Sequence, residues 1–283
     1  MLFKKEWITT KCGTPMFPVV KNQISSLTNK HHLTKIAKKA VSFELRAIAI
    51  SKLNDQKLLI STAKTDPSID VKIAALRNIV DSNQRLSIVT PMIQDSSISI
   101  NYKISLIDMV KNEYEHAQDD LRTIALSGEH YEALRAALLL DDKETAQKTF
   151  LRIALDPQSS YSQKEAVKYI NNDDDLLKIS KETVDEEAAF EAAQRIKDPD
   201  KKQLALIDFA INRKCRTNSG LSNKLSAAIM INDIEVRIKA IREIYAIAKA
   251  RVNQKSGTYT WQDRAMLEIA DRCRSILGSD ADT

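Results

Sequence analysis

Glycine is scarce in this chain: there are five in 283 residues, and all of them (Gly13, Gly128, Gly220, Gly257, Gly278) stand alone. Phosphate-cradling loops need clustered glycines so that the backbone can approach the ligand. The P-loop and the dinucleotide fingerprint are therefore absent, and so is a Gly-x-Ser-x-Gly nucleophile elbow. Aromatic residues make up 5%, too few for most sandwiches or barrels. Three cysteines, Cys12, Cys215 and Cys273, lie far apart, with no pair spacing that suggests a disulfide frame or a zinc site. No stretch approaches eighteen consecutive apolar residues, so no membrane span is expected. The opening Met1-Leu-Phe-Lys-Lys-Glu-Trp lacks the apolar run of a secretory signal. A reducing cytoplasm is the expected compartment.

What the chain does have is 43% hydrophobic and 29% charged residues, a mixture suited to a folded core rather than to disorder. It also repeats itself. The aliphatic residues Leu53, Ile79, Val110, Leu140, Ile170 and Ile196 follow one another at intervals of 26, 31, 30, 30 and 26. Two residues after each comes Asp55, Asp81, Asn112, Asp142, Asn172 or Asp198. Three before each stands an apolar residue: Ile50, Leu76, Ile107, Ala137, Val167 or Ala193. Four before stands Ala49, Ala75, Leu106, Ala136, Ala166 or Ala192, alanine in all but one.

Positions −4, −3 and 0 form one stripe of an α-helix. The small residue lets a neighbouring helix approach closely, and the aliphatics fill the space between. Asp or Asn at +2 suits a helix N-cap, accepting a bond from an otherwise unpaired backbone N–H. A second apolar stretch follows each anchor, such as Leu58-Leu59-Ile60 or Leu151 with Ile153-Ala154. Each unit thus reads as a helix, a tight turn, an Asx cap and a shorter second helix. Asp66-Pro67, Thr90-Pro91, Asp156-Pro157 and the Gly128 region are expected to end the second helices, because a residue before proline leaves the helical region. At Asp198-Pro199 the aspartate is itself the cap and the proline takes the first helical position.

The same offsets recur at Ala227, Ala228, Ile231 and Asp233, after a gap of 35 filled by the basic loop Asn212 to Gly220. A long helix is predicted over roughly 234–252, with Ile234, Ile238, Ile241, Tyr245 and Ala248 on one face. Asn253 to Tyr259 reads as a loop, and Thr260-Trp-Gln-Asp263 as a capping box opening a last helix to about Leu277. Residues 1–23, with Pro15 and Pro18 and little periodicity, read as an extended arm that could cover the first repeat.

Such units cannot bury an apolar stripe alone, so neighbours must stack and share a core. The expected fold is all-α: an α-solenoid, or superhelix, of six to seven two-helix repeats with a C-terminal capping helix. The corresponding division is an N-terminal arm or cap (1–29), the repeat array (30–252) and a capping helix with tail (253–283). The motif Ala-aliphatic-x-x-aliphatic-x-Asx followed by Leu-x-x-Ile-Ala resembles short HEAT-type repeats, as in bacterial HEAT-like and phycobilin-lyase-like families. The resemblance covers roughly residues 30–250. It implies the architecture and a role in holding partners, without specifying an activity.

Charge is segmented. Residues 1–111 carry net +9, residues 112–200 net −10 and residues 201–283 net +6, giving +5 overall. A dedicated nucleic-acid binder is expected to be more uniformly positive. Candidate binding residues are Lys57, Lys64 and Arg85, on or near second helices that line the concave side in HEAT geometry, and Arg213, Lys214 and Arg216 in the basic loop. The acidic runs Asp173-Asp174-Asp175 and Asp185-Glu186-Glu187 are explained as helix starts, where the dipole favours negative charge.

No catalytic or metal-ligating residue emerges, and no cofactor is expected. The histidines are His31, His32, His116 and His130. Adjacent His31 and His32 make a poor chelate and suit surface or cap roles. His116 and Asp120 share a helical face, but two ligands leave a metal site unfinished. HEAT-like iron hydroxylases carry repeated His-Glu pairs, whereas the order here is Glu115-His116 and Glu129-His130. HEAT-like DNA glycosylases are similar in repetition, yet Trp7 and Trp261 lie outside the clear repeats. Cys273 stands between Arg272 and Arg274 and reads as either a packed small residue or a reactive thiol. Tyr245 and Phe209 read as core. The expected function is a non-enzymatic protein–protein interaction scaffold whose partner is another protein. The alternative is a nucleic-acid-binding repeat protein, with DNA repair as its enzymatic form.

Overall fold

The computed structural model describes residues 3–253 and 261–278, and every regular element among them is helical. Contacts divide the chain into two compact units, residues 1–124 and 125–283. The first contains α1 (Glu6–Thr9), α2 (Phe17–Ser26), α3 (Lys30–Lys39), α4 (Phe43–Ser51), α5 (Gln56–Thr65), α6 (Ile69–Leu76), α7 (Ser82–Gln94) and α8 (Ile100–Val110). Helix α9 (Ala117–Ser127) runs across the division. The second contains α10 (His130–Leu139), α11 (Lys143–Leu155), α12 (Ser160–Val167), α13 (Asp173–Glu182), α14 (Glu186–Arg195) and α15 (Pro199–Ile207). A π-helical turn (Asp208–Asn212), α16 (Asn218–Ile229), α17 (Ile234–Asn253) and α18 (Trp261–Leu277) complete it.

Each repeat anchor lies at the end of the first helix of a pair, and the three-column stripe is the core. At all seven positions the residues at −4, −3 and 0 are buried, none more than 5% exposed, from Ala49, Ile50 and Leu53 to Ala227, Ala228 and Ile231. Burying an aliphatic side chain of this kind contributes about 1.5–3 kcal/mol. In the second unit the stripe joins helices two apart: α10 packs on α12, α12 on α14, α14 on α16 and α16 on α18. Helices α11, α13 and α15 form a parallel series, tied to the first by the pairs α10–α11, α11–α12 and α13–α14. The first unit shows the same rule where α4 packs on α6, with α3 on α4, α5 on α6 and α7 on α8.

Six of the seven predicted Asx residues cap the following helix. Asp55, Asp81, Asp142, Asn172, Asp198 and Asp233 each accept a bond from a backbone N–H two or three residues on. Asn112 does not. There the chain makes an extra turn, with the N–H groups of Glu113 and Tyr114 bonded to the Val110 carbonyl, and α9 starts only at Ala117. The acidic runs sit as expected in the first turns of α13 and α14, capped by Asn172 and Asp185.

Three local expectations are corrected. The N-terminal segment is not an extended arm: α1 and α2 are helices, with Trp7 fully buried and Phe17, Val20 and Ile24 forming an inward stripe. Pro18 falls in the first turn of α2, where a proline lacks nothing the helix needs. Thr90-Pro91 does not end α7, which runs on to Gln94 with Met92 and Ile93 buried. The break comes at Asp95, whose carboxylate accepts the Ser97 N–H and hydroxyl at 2.8 and 2.7 Å. The second helices are also not the shorter ones as a rule, since α11 has 13 residues against 10 in α10 and α7 has 13 against 8 in α6, although α15 has 9 against 10 in α14. The loop predicted over 253–259 and the capping-box Thr260 lie outside the described residues, apart from Asn253, which ends α17.

Candidate functional site

The six basic candidates separate into two kinds. Arg85 and Arg213 are turned toward the backbone, Arg85 by a single bond with its Nε left unpartnered. The Arg85 guanidinium donates to the Ile79 carbonyl at 3.0 Å. Arg213 donates to the Ser180 carbonyl at 3.1 Å and to that of Thr183, closing the C-terminal end of α13, and stacks over Phe209 at 5.5 Å. Helix C-termini leave carbonyls without intrahelical partners, and the guanidinium fork supplies donors for them. Lys57, Lys64, Lys214 and Arg216 are exposed.

The basic loop is held from within rather than left free. Lys224 is buried and donates to the carbonyls of Ile211 and Arg213 at 3.4 and 3.0 Å. The Arg251 guanidinium reaches the Cys215 and Thr217 carbonyls. The Glu186 carboxylate accepts the N–H groups of Arg216 and Thr217 and the Thr217 hydroxyl. Glu186 also fills the space beside Gly220, where an added Cβ would collide with its carboxylate.

Two grooves combine apolar and ionisable groups. The first follows from the Asn112 exception. Because α9 begins late, the extra turn carries Tyr114 and His116 between α8 and α9. They border an open cavity of about 440 Å³ with Lys103 and Asp120 on its walls and Ile93 and Ile107 buried in its floor. The buried Tyr114 hydroxyl donates to Asp120 Oδ2 at 2.9 Å, and its ring meets His116 edge-on at 5.9 Å. Burial first, then the bond to Asp120, pushes the Tyr114 phenol up to about 12, so it stays a neutral donor. The His116–Asp120 spacing was visible in the sequence. The parts of Tyr114 and Lys103 were not, because both depend on where α9 starts.

The second groove, in the other unit, lies along α12 and the start of α14. Tyr161 stands 84% exposed above Lys164, Glu165 and Lys168, facing Asp185 and Glu187. Lys164 pairs with Glu187 at 2.7 Å across the two helices, and Lys168 with Glu165 at 2.6 Å. Tyr131, at the equivalent place in α10, is also exposed.

The remaining singled-out residues have structural places. His32 packs edge-on against Phe3 and Trp7 at 5.5 and 5.7 Å, a contact rather than a surface role, while His31 is exposed. His130 bonds Asp156 at 2.7 Å. Cys273 is fully buried, and burial pushes its thiol up to about 11, outweighing Arg272. It is a packed residue, not an activated one. Phe209 and Tyr245 are core. Among the described residues no three of His, Cys, Asp and Glu are placed to hold a metal ion, and no helix is long and apolar enough to cross a membrane. The chain matches no protein-family model and no curated protein sequence.

Proposed function

We propose that the chain is a HEAT-like α-solenoid that serves as a protein–protein interaction scaffold without catalytic activity of its own. The seven buried stripes and the packing of alternate helices support the architecture. The observation that carries the function is Tyr161, an aromatic ring left in solvent beside paired lysines and carboxylates. Tyrosine presents large contact area at low entropic cost, and such rings with charged neighbours are what interface anchors are made of. The free cysteines, Cys12 exposed among them, support a reducing, cytoplasmic setting.

A photo-crosslinking amino acid at position 161, introduced in the cell of origin, tests this reading. A discrete protein adduct that weakens in a Lys164→Ala background supports it. No adduct, or adducts with nucleic acid alone, overturns it. The nucleic-acid alternative rests on exposed Lys57, Lys64, Lys214 and Arg216. Neutralising phosphates makes affinity fall steeply with salt. Binding to duplex, single-stranded or RNA probes at about 50 mM salt with that dependence would favour it.

A further inference from the structure

The Tyr114 groove has features that the Tyr161 surface lacks. Its floor is aliphatic: Ile93 and Ile107 are buried there, and Ile100 stands partly exposed at its edge. Its volume of about 440 Å³ falls within the ~300–1,000 Å³ common to ligand sites. On its walls the Lys103 ammonium makes no direct hydrogen bond or ion pair among the described residues, although its charge acts on nearby Asp95, and the His116 imidazole meets the Tyr114 ring edge-on. Asp120, the one carboxylate among the described residues lining the groove, accepts the Tyr114 hydroxyl. The unspent polar capacity is therefore that of donors, next to apolar surface.

We infer that this groove binds the C-terminal residue of a partner polypeptide. An aliphatic last side chain lies on the isoleucine floor, and the terminal carboxylate accepts bonds from Lys103 and His116. Donors to an ionised acceptor are the stronger class of hydrogen bond, and they are stronger still beside an apolar wall. A polypeptide suits the groove better than an acyl chain. Gln94 interrupts the apolar lining, and its amide can bond peptide N–H and C=O but would lose solvent for nothing against methylenes. The site is separate from Tyr161, so crosslinking there stands or falls independently.

The test uses the full chain and fluorescein-labelled heptapeptides, randomised upstream and ending in Val, Ile, Leu or Met, read by fluorescence anisotropy. The free-acid pool should bind, and the same pool with amidated C-termini should bind about tenfold more weakly. Lys103→Met should reduce acid binding about tenfold, and His116→Ala by several-fold, while Lys38→Met, at an exposed lysine outside the groove, leaves it unchanged. Circular dichroism at 222 nm should show all three variants folded. Equal binding of acid and amide pools, no saturation by 1 mM acid pool, or loss of sensitivity to Lys103 overturns the inference. So does stoichiometric binding of decanoate in place of the peptides, which would reassign the groove to aliphatic carboxylates of the lipid kind.

Discussion

Gln147 holds the turn that follows the next helix pair's first helix by both ends: its amide donates to the Tyr169 carbonyl at 2.8 Å and accepts the Asn171 N–H at 3.3 Å. These two groups flank the anchor Ile170. Gln56 does the same around Ile79, with Asn78 at 3.1 Å and Val80 at 3.0 Å, and Gln203 around Ile231, with Met230 at 3.3 Å and Asn232 at 2.9 Å. Asp173 reaches the Lys197 and Asp198 N–H groups beside Ile196. One side chain thus satisfies turn groups that no helix can, and sets the register of each neighbour. Gln147→Ala should destabilise the fold by about 1–2 kcal/mol through two lost bonds. Gln147→Met, which keeps the stem, should recover little of it. Urea unfolding followed at 222 nm gives the comparison.

The one Asx residue that fails to cap supplies an internal control. Asp81→Ala removes an acceptor for the Gln84 N–H and should cost about 1 kcal/mol. Asn112→Ala, in the same unit and the same repeat column, should fall within about 0.5 kcal/mol of wild type. Paired urea midpoints decide it, and equal losses would mean that Asn112 caps a helix after all.

Gly220 and Glu186 are coupled by space. Gly220→Ala must displace the Glu186 carboxylate and with it the bonds to Arg216 and Thr217. Glu186→Ala should cost about 1 kcal/mol, Gly220→Ala less, because only the flexible end of Glu186 must move and alanine favours the helix, and the double variant scarcely more than Glu186→Ala alone. Additive losses in a double-mutant cycle would contradict the coupling.

The three thiols should react in order of exposure. Cys12 is exposed, although its bond to Glu44 raises its thiol. Cys215 is half-buried and raised by burial, and Cys273 is fully buried with a value of about 11. With 5,5′-dithiobis(2-nitrobenzoate) at pH 8, Cys12 should be modified first and Cys273 only as the chain unfolds. Fast modification at Cys273, read by peptide mass, would show an open helix α18.

Acid should loosen the joint beside Ile196. The Asp198 and Lys197 N–H groups hold the Asp173 carboxyl below the ordinary aspartate value of about 3.9. A lowered folded value means that its stabilisation is complete above that ordinary value and is lost as pH falls through the folded one. Asp173→Asn should therefore flatten the decline in stability below about pH 4. Urea midpoints between pH 2.5 and 7 would show it, and unchanged slopes would remove Asp173 from the acid response.

Local chemistry was written into the sequence: the alanine–aliphatic stripe, six of the seven caps and the acidic first turns all depend on residues within one helical turn of each other. Tertiary structure alone decided the rest. Ile234 and Ile238 continue the apolar face of Ile241 and Tyr245, yet they stand 62% and 39% exposed while the latter two are buried. Periodicity names a face, but only the neighbouring helix determines how far along its length that face is covered. Arg213 looked like a free cation until its guanidinium met carbonyls about thirty residues away. The Tyr114 groove arose because one helix begins late. Spacing along a chain reports which side a residue faces, whereas hydrogen bonds between distant backbone groups and the exact start of a helix are settled by everything that packs around them.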